Sequence, residues 1–137
     1  MNVLSFLTPK AMVAYLNSDD TLRQAIEKME YHRYSVIPCI DADGKYRCSY
    51  SDGDLLFYLK NHRLNFDDLE QVPLRKVEPR RSYVPLPISM QMEELLPILL
   101  SQNFVPLVDD QGIFIGIITR KSVMSKVSKE MFLSDNR

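Results

Sequence analysis

Along the chain, apolar residues fall into short runs of consecutive or alternating positions, separated by stretches in which they recur every three or four residues. The first half begins with a run over residues 12–16 (MVAYL) that predicts a short strand. NSDDT then supplies cap residues, and TLRQAIEKMEYH carries Leu22, Ala25, Ile26 and Met29 at helical spacing. SVIPCI and KYRCSYS follow as the arms of a hairpin, turning through Asp41-Ala42-Asp43-Gly44, and DLLFYLKNH predicts a second helix. The second half repeats the order. YVPL predicts a strand and SMQMEELLPILLSQ a helix, which Pro97 is expected to kink or shorten. FVPLV and IFIGII predict a hairpin, and KSVMSKVSKEMF a final helix.

The two halves match residue by residue. Pro38 and Pro106, Asp41 and Asp109, Gly44 and Gly112, Ser51 and Thr119, and Asp54 and Ser122 all lie 68 residues apart without a gap. A register kept through a proline, an acidic turn, a glycine and a hydroxyl is the mark of a duplicated unit. Repeat 1 is assigned to residues 1–62, a linker to 63–79 and repeat 2 to 80–137. The linker is polar and proline-bearing, with Phe66, Leu69, Val72, Leu74 and Val77 left to pack locally. Units of roughly sixty residues bury too little surface alone, so two packed sheet face to sheet face are expected, in an α+β fold.

Composition narrows the functions open to the chain. At 137 residues and 45% hydrophobic it can bury one good core or two small ones. Seventeen basic and eighteen acidic side chains nearly cancel, which leaves no global field to draw nucleic acid or an anionic membrane. Cys39 and Cys48 lie on the two hairpin arms without metal-ligand spacing and read as free thiols. The N-terminal MNVLSFLTPK has no cationic leader pattern and its apolar run is cut short by Pro9, so a cytoplasmic protein without a membrane span is expected. There is no GxxxxGK[ST] or GxGxxG sequence, His32 and His62 have no second ligand at metal spacing, and no nucleophile is paired with a base. The chain is therefore expected not to be an enzyme.

GIITRKSV remains as the candidate chemistry. Thr119 ends a strand and opens a helix whose first N–H groups have no intrahelical partner, a terminus suited to phosphate, and Arg120 and Lys121 add two cations. The same residues also serve a purely structural end: Thr119 as N-cap stabilises a helix by about 1 kcal/mol, and Ser51 with Asp54 forms the equivalent pair in repeat 1. The loops differ in charge, SDGD carrying two negatives where TRKS carries two positives.

VIPCID and FVPLVD, each followed by an acidic turn with glycine, together with YSDGDLL and IGIITRKSV, resemble the tandem CBS (cystathionine beta-synthase type) proteins, or Bateman modules. The resemblance runs from about Met12 to Val127. It implies two strand–helix–hairpin–helix repeats related by pseudo-twofold symmetry, with no chemistry of their own. Such proteins bind adenine nucleotides (AMP, ADP, ATP and, in stand-alone proteins with a TRR-like loop, cyclic di-AMP) and report the ligand to a partner. No separate cofactor is implied.

Carried onto this sequence, the main nucleotide-binding set is Val13, Ala14, Tyr34, Ser35, Val36, Thr119, Arg120, Lys121 and Ser122. A second, empty or weaker set is Ser51, Asp54, Val84, Asn103 and Phe104, in which Phe104 fills the base pocket or simply joins the core. Asp54 fits the family's ribose-reading carboxylate, and Ser122 departs from it and tilts its loop towards phosphate charge. Arg75, Lys76, Arg80 and Arg81 are open to two readings, an extension of a phosphate or partner surface and, more commonly for exposed linker charges, solubility alone. The resemblance also implies a homodimer through helix faces carrying Leu55, Leu56, Leu59, Val123 and Val127, and an unidentified regulated protein. A ligand-free structural protein acting through dimerisation alone is the alternative.

Overall fold

The duplicated pattern folds as two compact units, described for residues 2–135 in a computed structural model. One unit holds residues 14–83 and 111–113; the other holds the chain up to Val13, Val84–Asp110 and the residues from Phe114 onward. Strand β1 (Thr8–Pro9) belongs to the latter, and β2 (Leu16–Asn17), α1 (Leu22–His32), β3 (Val36–Ile40), β4 (Tyr46–Ser51) and α2 (Asp52–Asn61) to the former.

In that unit β2 runs parallel to β3, and β3 pairs antiparallel with β4. The sequence dictates each boundary. Thr21 and Gln24 form a reciprocal capping box at the start of α1, and Arg33, at φ 58°, ends the helix in the left-handed region. Asp41 shapes the hairpin turn, its carboxylate accepting the N–H groups of Asp43 and Lys45 at 2.9 and 3.0 Å. The core gathers Leu16, Leu22, Ala25, Met29, Ile37, Tyr50 and Leu55.

The linker is less exposed than its polarity suggested. It forms two 3-10 turns, Phe66–Gln71 and Leu74–Lys76, which bury Leu69, Leu74 and Val77 in the same core. Its backbone is also pinned: Leu22 N–H donates to the Val72 carbonyl and Leu74 N–H to that of Asp20. Apolar residues spaced to face one way within a charged stretch are enough to fold it inward.

The other unit adds β5 (Leu86–Pro87), α3 (Met92–Leu99), β6 (Phe104–Val108), β7 (Phe114–Thr119) and α4 (Arg120–Asp135). Its sheet has the order β1-β7-β6-β5, with β5 parallel to β6 and the other pairs antiparallel. The hairpins of the two units share one register, since Val36 opposite Ser51 is reproduced by Phe104 opposite Thr119, and both ladders shift after the fourth strand residue, Cys39 or Leu107.

Gly116 is fixed by β1. At φ 152° its missing side chain makes room for the N-terminal segment, because a Cβ there would lie 2.2 Å from the Thr8 carbonyl oxygen.

Several elements differ from expectation. Residues 12–16 are mostly irregular, with a 3-10 turn over Lys10–Met12 and a strand confined to Leu16–Asn17. The strand expected over YVPL is Leu86–Pro87, because Pro85 and Pro87 leave few N–H groups to donate to a ladder. Helix α3 spans eight residues rather than the fourteen of SMQMEELLPILLSQ, as Pro97 removes one intrahelical donor near its end.

Candidate functional site

Each unit has a strand that turns directly into a helix, and the two junctions are built alike. At β4–α2 the Ser51 hydroxyl accepts the Asp54 N–H at 3.0 Å while the Asp54 carboxylate accepts the Ser51 N–H at 2.8 Å. At β7–α4 the Thr119 hydroxyl accepts the Ser122 N–H at 3.1 Å, and the Ser122 hydroxyl donates to the Thr119 carbonyl at 2.9 Å. Behind each junction an N–H closes the same bond, from Asp52 to the Ser35 carbonyl and from Arg120 to the Asn103 carbonyl. Both loops are therefore caps, and Ser122, too short to reach back to the cap N–H, replaces the reciprocal carboxylate bond with one to a carbonyl.

Asp54 does more than cap. It is 5% exposed, and its second oxygen accepts the Arg80 N–H at 2.9 Å. That bond brings the Arg80–Tyr83 segment to the mouth of the β3–β4 hairpin. Arg80 then lays its guanidinium 4.7 Å from the Phe57 ring centre, a cation–π arrangement. Tyr46 holds the far end, donating its one proton to the Tyr83 carbonyl at 3.0 Å, so that its oxygen accepts from Ser49 at 2.8 Å. Burial pushes the Tyr46 phenol well above its ordinary range.

These contacts frame a polar cavity of about 410 Å³ within one unit, lined by Val36, Ser51 and Asp54 and by Ser49, Arg80, Arg81 and Tyr83. The structure thus brings Val36, placed by the sequence with the TRKS loop, beside Ser51, its register partner in the ladder. It also alters the charge count. Two arginines line the cavity beside a loop whose own residues carry two negatives, so it sets cationic residues next to a hydroxyl-rich wall. Of the two readings open to Arg80 and Arg81, the lining of this cavity favours the phosphate surface over solubility alone. Their one signal in the sequence was adjacency, and the backbone bond to Asp54 that positions them spans 26 residues.

The TRKS loop has a different outcome. Arg120 donates from Nε to the Leu99 carbonyl at 2.6 Å, its guanidinium lining a cavity of about 780 Å³ beside Leu96, Leu100, Val123 and Met124. One of the two cations is therefore committed to the end of α3, whose last carbonyls it satisfies. Lys121 is exposed.

The remaining candidates divide between the units. Val13 is buried in one unit, and Ala14 and Tyr34 pack against the core of the other. Phe104 is buried at 5% exposure, and Val84 is held by its N–H donating to the Gln102 side chain at 2.9 Å. Of the residues expected on an outer helix face, Leu55 and Val123 are instead buried in their own units, whereas Leu56 and Val127 are exposed.

The repeat order, the shared register and the paired strand–helix junctions define a tandem α+β repeat protein. The family model of the CBS domain matches residues 8–61 and again 74–129, and the chain belongs to that family. No curated protein matches it. Among solved structures it is similar to a CbpB in complex with c-di-AMP, at 21% identity over 100% of this chain and 91% of that one, with a TM-score of 0.89. It is also similar to a CBS domain protein from Streptococcus pneumoniae, at 25% identity over 93% of this chain and 86% of that one, with a TM-score of 0.84. CbpB of Listeria monocytogenes, in complex with c-di-AMP, gives 24% identity, coverage of 97% and 99%, and a TM-score of 0.83. Among the described residues no helix is long and apolar enough to cross a membrane.

Proposed function

We propose that the protein is a cytoplasmic, non-catalytic regulatory module that binds an adenine nucleotide and passes its bound state to a partner protein. The carrying observation is the cavity in which Ser49, Ser51 and Asp54 meet Arg80 and Arg81. Each Asp54 oxygen accepts one N–H and keeps a lone pair for a ribose hydroxyl, while Arg81 suits phosphate. Cyclic di-AMP leads the candidates, ahead of AMP, ADP and ATP, because two similar folds were solved with it.

Calorimetric titration with each nucleotide tests the reading. Binding at micromolar ligand is expected, with Arg81→Ala weakening it about tenfold through loss of one charge-assisted contact. No heat from any of the four would overturn it.

One observation favours a second reading, in which the protein acts through dimerisation alone: Leu96, Leu100 and Met124 expose 46%, 86% and 59% of their surface around one groove. A dimer by analytical ultracentrifugation, unaltered by any nucleotide, would support it.

A further inference from the structure

The two cysteines of repeat 1 stand directly opposite each other. Cys39 on β3 and Cys48 on β4 are register partners in the antiparallel ladder, so their side chains leave the same face of the sheet. Partners of this kind have Cα atoms about 4.5–5.5 Å apart, within the range of about 4.4–6.8 Å that a disulfide spans. Both thiols are free. Cys39 is 1% exposed and forms part of the core, whereas Cys48 is half-buried at the core's edge.

The duplication shows that this pair belongs to repeat 1 alone. Leu107 and Gly116 occupy the same register in the other hairpin, where β1 leaves no room for a side chain on β7. β4 ends its three-stranded sheet and carries a thiol at that position.

We propose that Cys39 and Cys48 form a redox modification site, closing to a reversible cross-strand disulfide on exposure to a hydroperoxide. Cys48 is the attacking sulfur. It is the more accessible of the two, and the hydrogen bond from Cys39, helped by Tyr50 and Arg47, lowers its pKa against the opposing effect of burial. Its thiolate takes the terminal peroxide oxygen; the O–O bond breaks, water or an alcohol leaves with the proton, and Cys48 becomes a sulfenic acid. The Cys39 sulfur then displaces that oxygen. The S–S bond forms, the S–O bond breaks, and the proton lost by Cys39 departs with hydroxide as water. Two thiols give up two electrons, and the peroxide is reduced by two. No nucleotide enters this chemistry, so it stands apart from the proposed ligand binding.

The test uses the native full chain treated with hydrogen peroxide. The intact mass is expected to fall by about 2 Da with loss of both alkylatable thiols, a linked peptide pair should contain Cys39 and Cys48, and dithiothreitol should restore the starting mass. Cys39→Ser is expected to stop Cys48 at the sulfenic acid, about 16 Da heavier and trapped by dimedone. Sulfinic acid at Cys48 with Cys39 still alkylatable, disulfide-linked dimers, an unreacted native protein, or a bridge formed only in urea would each overturn the proposal.

Discussion

Tyr50 illustrates how one side chain can tie a linker to a sheet. Its hydroxyl, in a residue 3% exposed, donates towards two carbonyls, Val77 at 2.8 Å and Leu74 at 3.3 Å, both in the segment after α2. Removing the oxygen leaves two buried carbonyls short of a donor, a larger loss than an ordinary exposed hydrogen bond. Tyr50→Phe is therefore expected to destabilise the protein by about 1–2 kcal/mol in urea denaturation. Tyr31→Phe, at a residue 82% exposed, serves as the control and should change stability by less than about 0.5 kcal/mol. At this scale the sequence was informative about caps and weak about partners. Ser51, Asp54, Thr119 and Ser122 could be assigned to helix starts from spacing alone. That Arg120 would turn back to Leu99, and Arg80 donate to Asp54, depends on chain segments 21 and 26 residues away.

Among the elements, the hairpin strands and helix α1 fall close to their expected bounds, whereas α3 and the short strands do not. α1 begins within one residue of its predicted start because the capping box and the apolar spacing agree. The strands β2 and β5 are two residues each, and in both cases the apolar run before them proved irregular. An apolar run records burial but does not say whether the backbone finds a ladder. β1 is the clearest example: Thr8 and Pro9 carry no strand signal, yet they pair with Ile117 and Gly116 because glycine opens the edge of β7. Gly116→Ala should push the Thr8 backbone away and strain a φ of 152°, lowering stability by at least about 2 kcal/mol. Hydrogen exchange at the residues paired with β1 would accelerate well beyond that elsewhere in β7. Unchanged protection there would mean that β1 does not depend on the glycine.

For the molecule as a whole, the duplicated order and the α+β class were legible because two degenerate motifs kept one register, whereas the division of the chain into compact units was not, since the N-terminal thirteen residues join the second repeat. The buried titratable groups make a further prediction at this scale. Tyr46, Tyr50 and Cys39 all have pKa values raised in the fold: burial dominates for the two phenols, and for Cys39 the hydrogen bond to Cys48 comes first, then burial. Their ordinary values are 10.0, 10.0 and 9.0. A raised group contributes stability that is complete below its unfolded pKa and is lost as pH climbs from that value towards the folded one. Each such group then costs about 1.4 kcal/mol per pH unit. Cys48, lowered in the fold, acts in the opposite direction and offsets part of the Cys39 contribution. Urea midpoints measured from pH 8 upward should thus be level at first and fall steeply above about pH 10, where the phenols dominate. Tyr50→Phe, already less stable at pH 8, should show a shallower alkaline slope, since one of the ionising groups is gone. An equal slope in the variant would mean that Tyr50 ionises as readily folded as unfolded, and that its hydroxyl is not sealed between Leu74 and Val77.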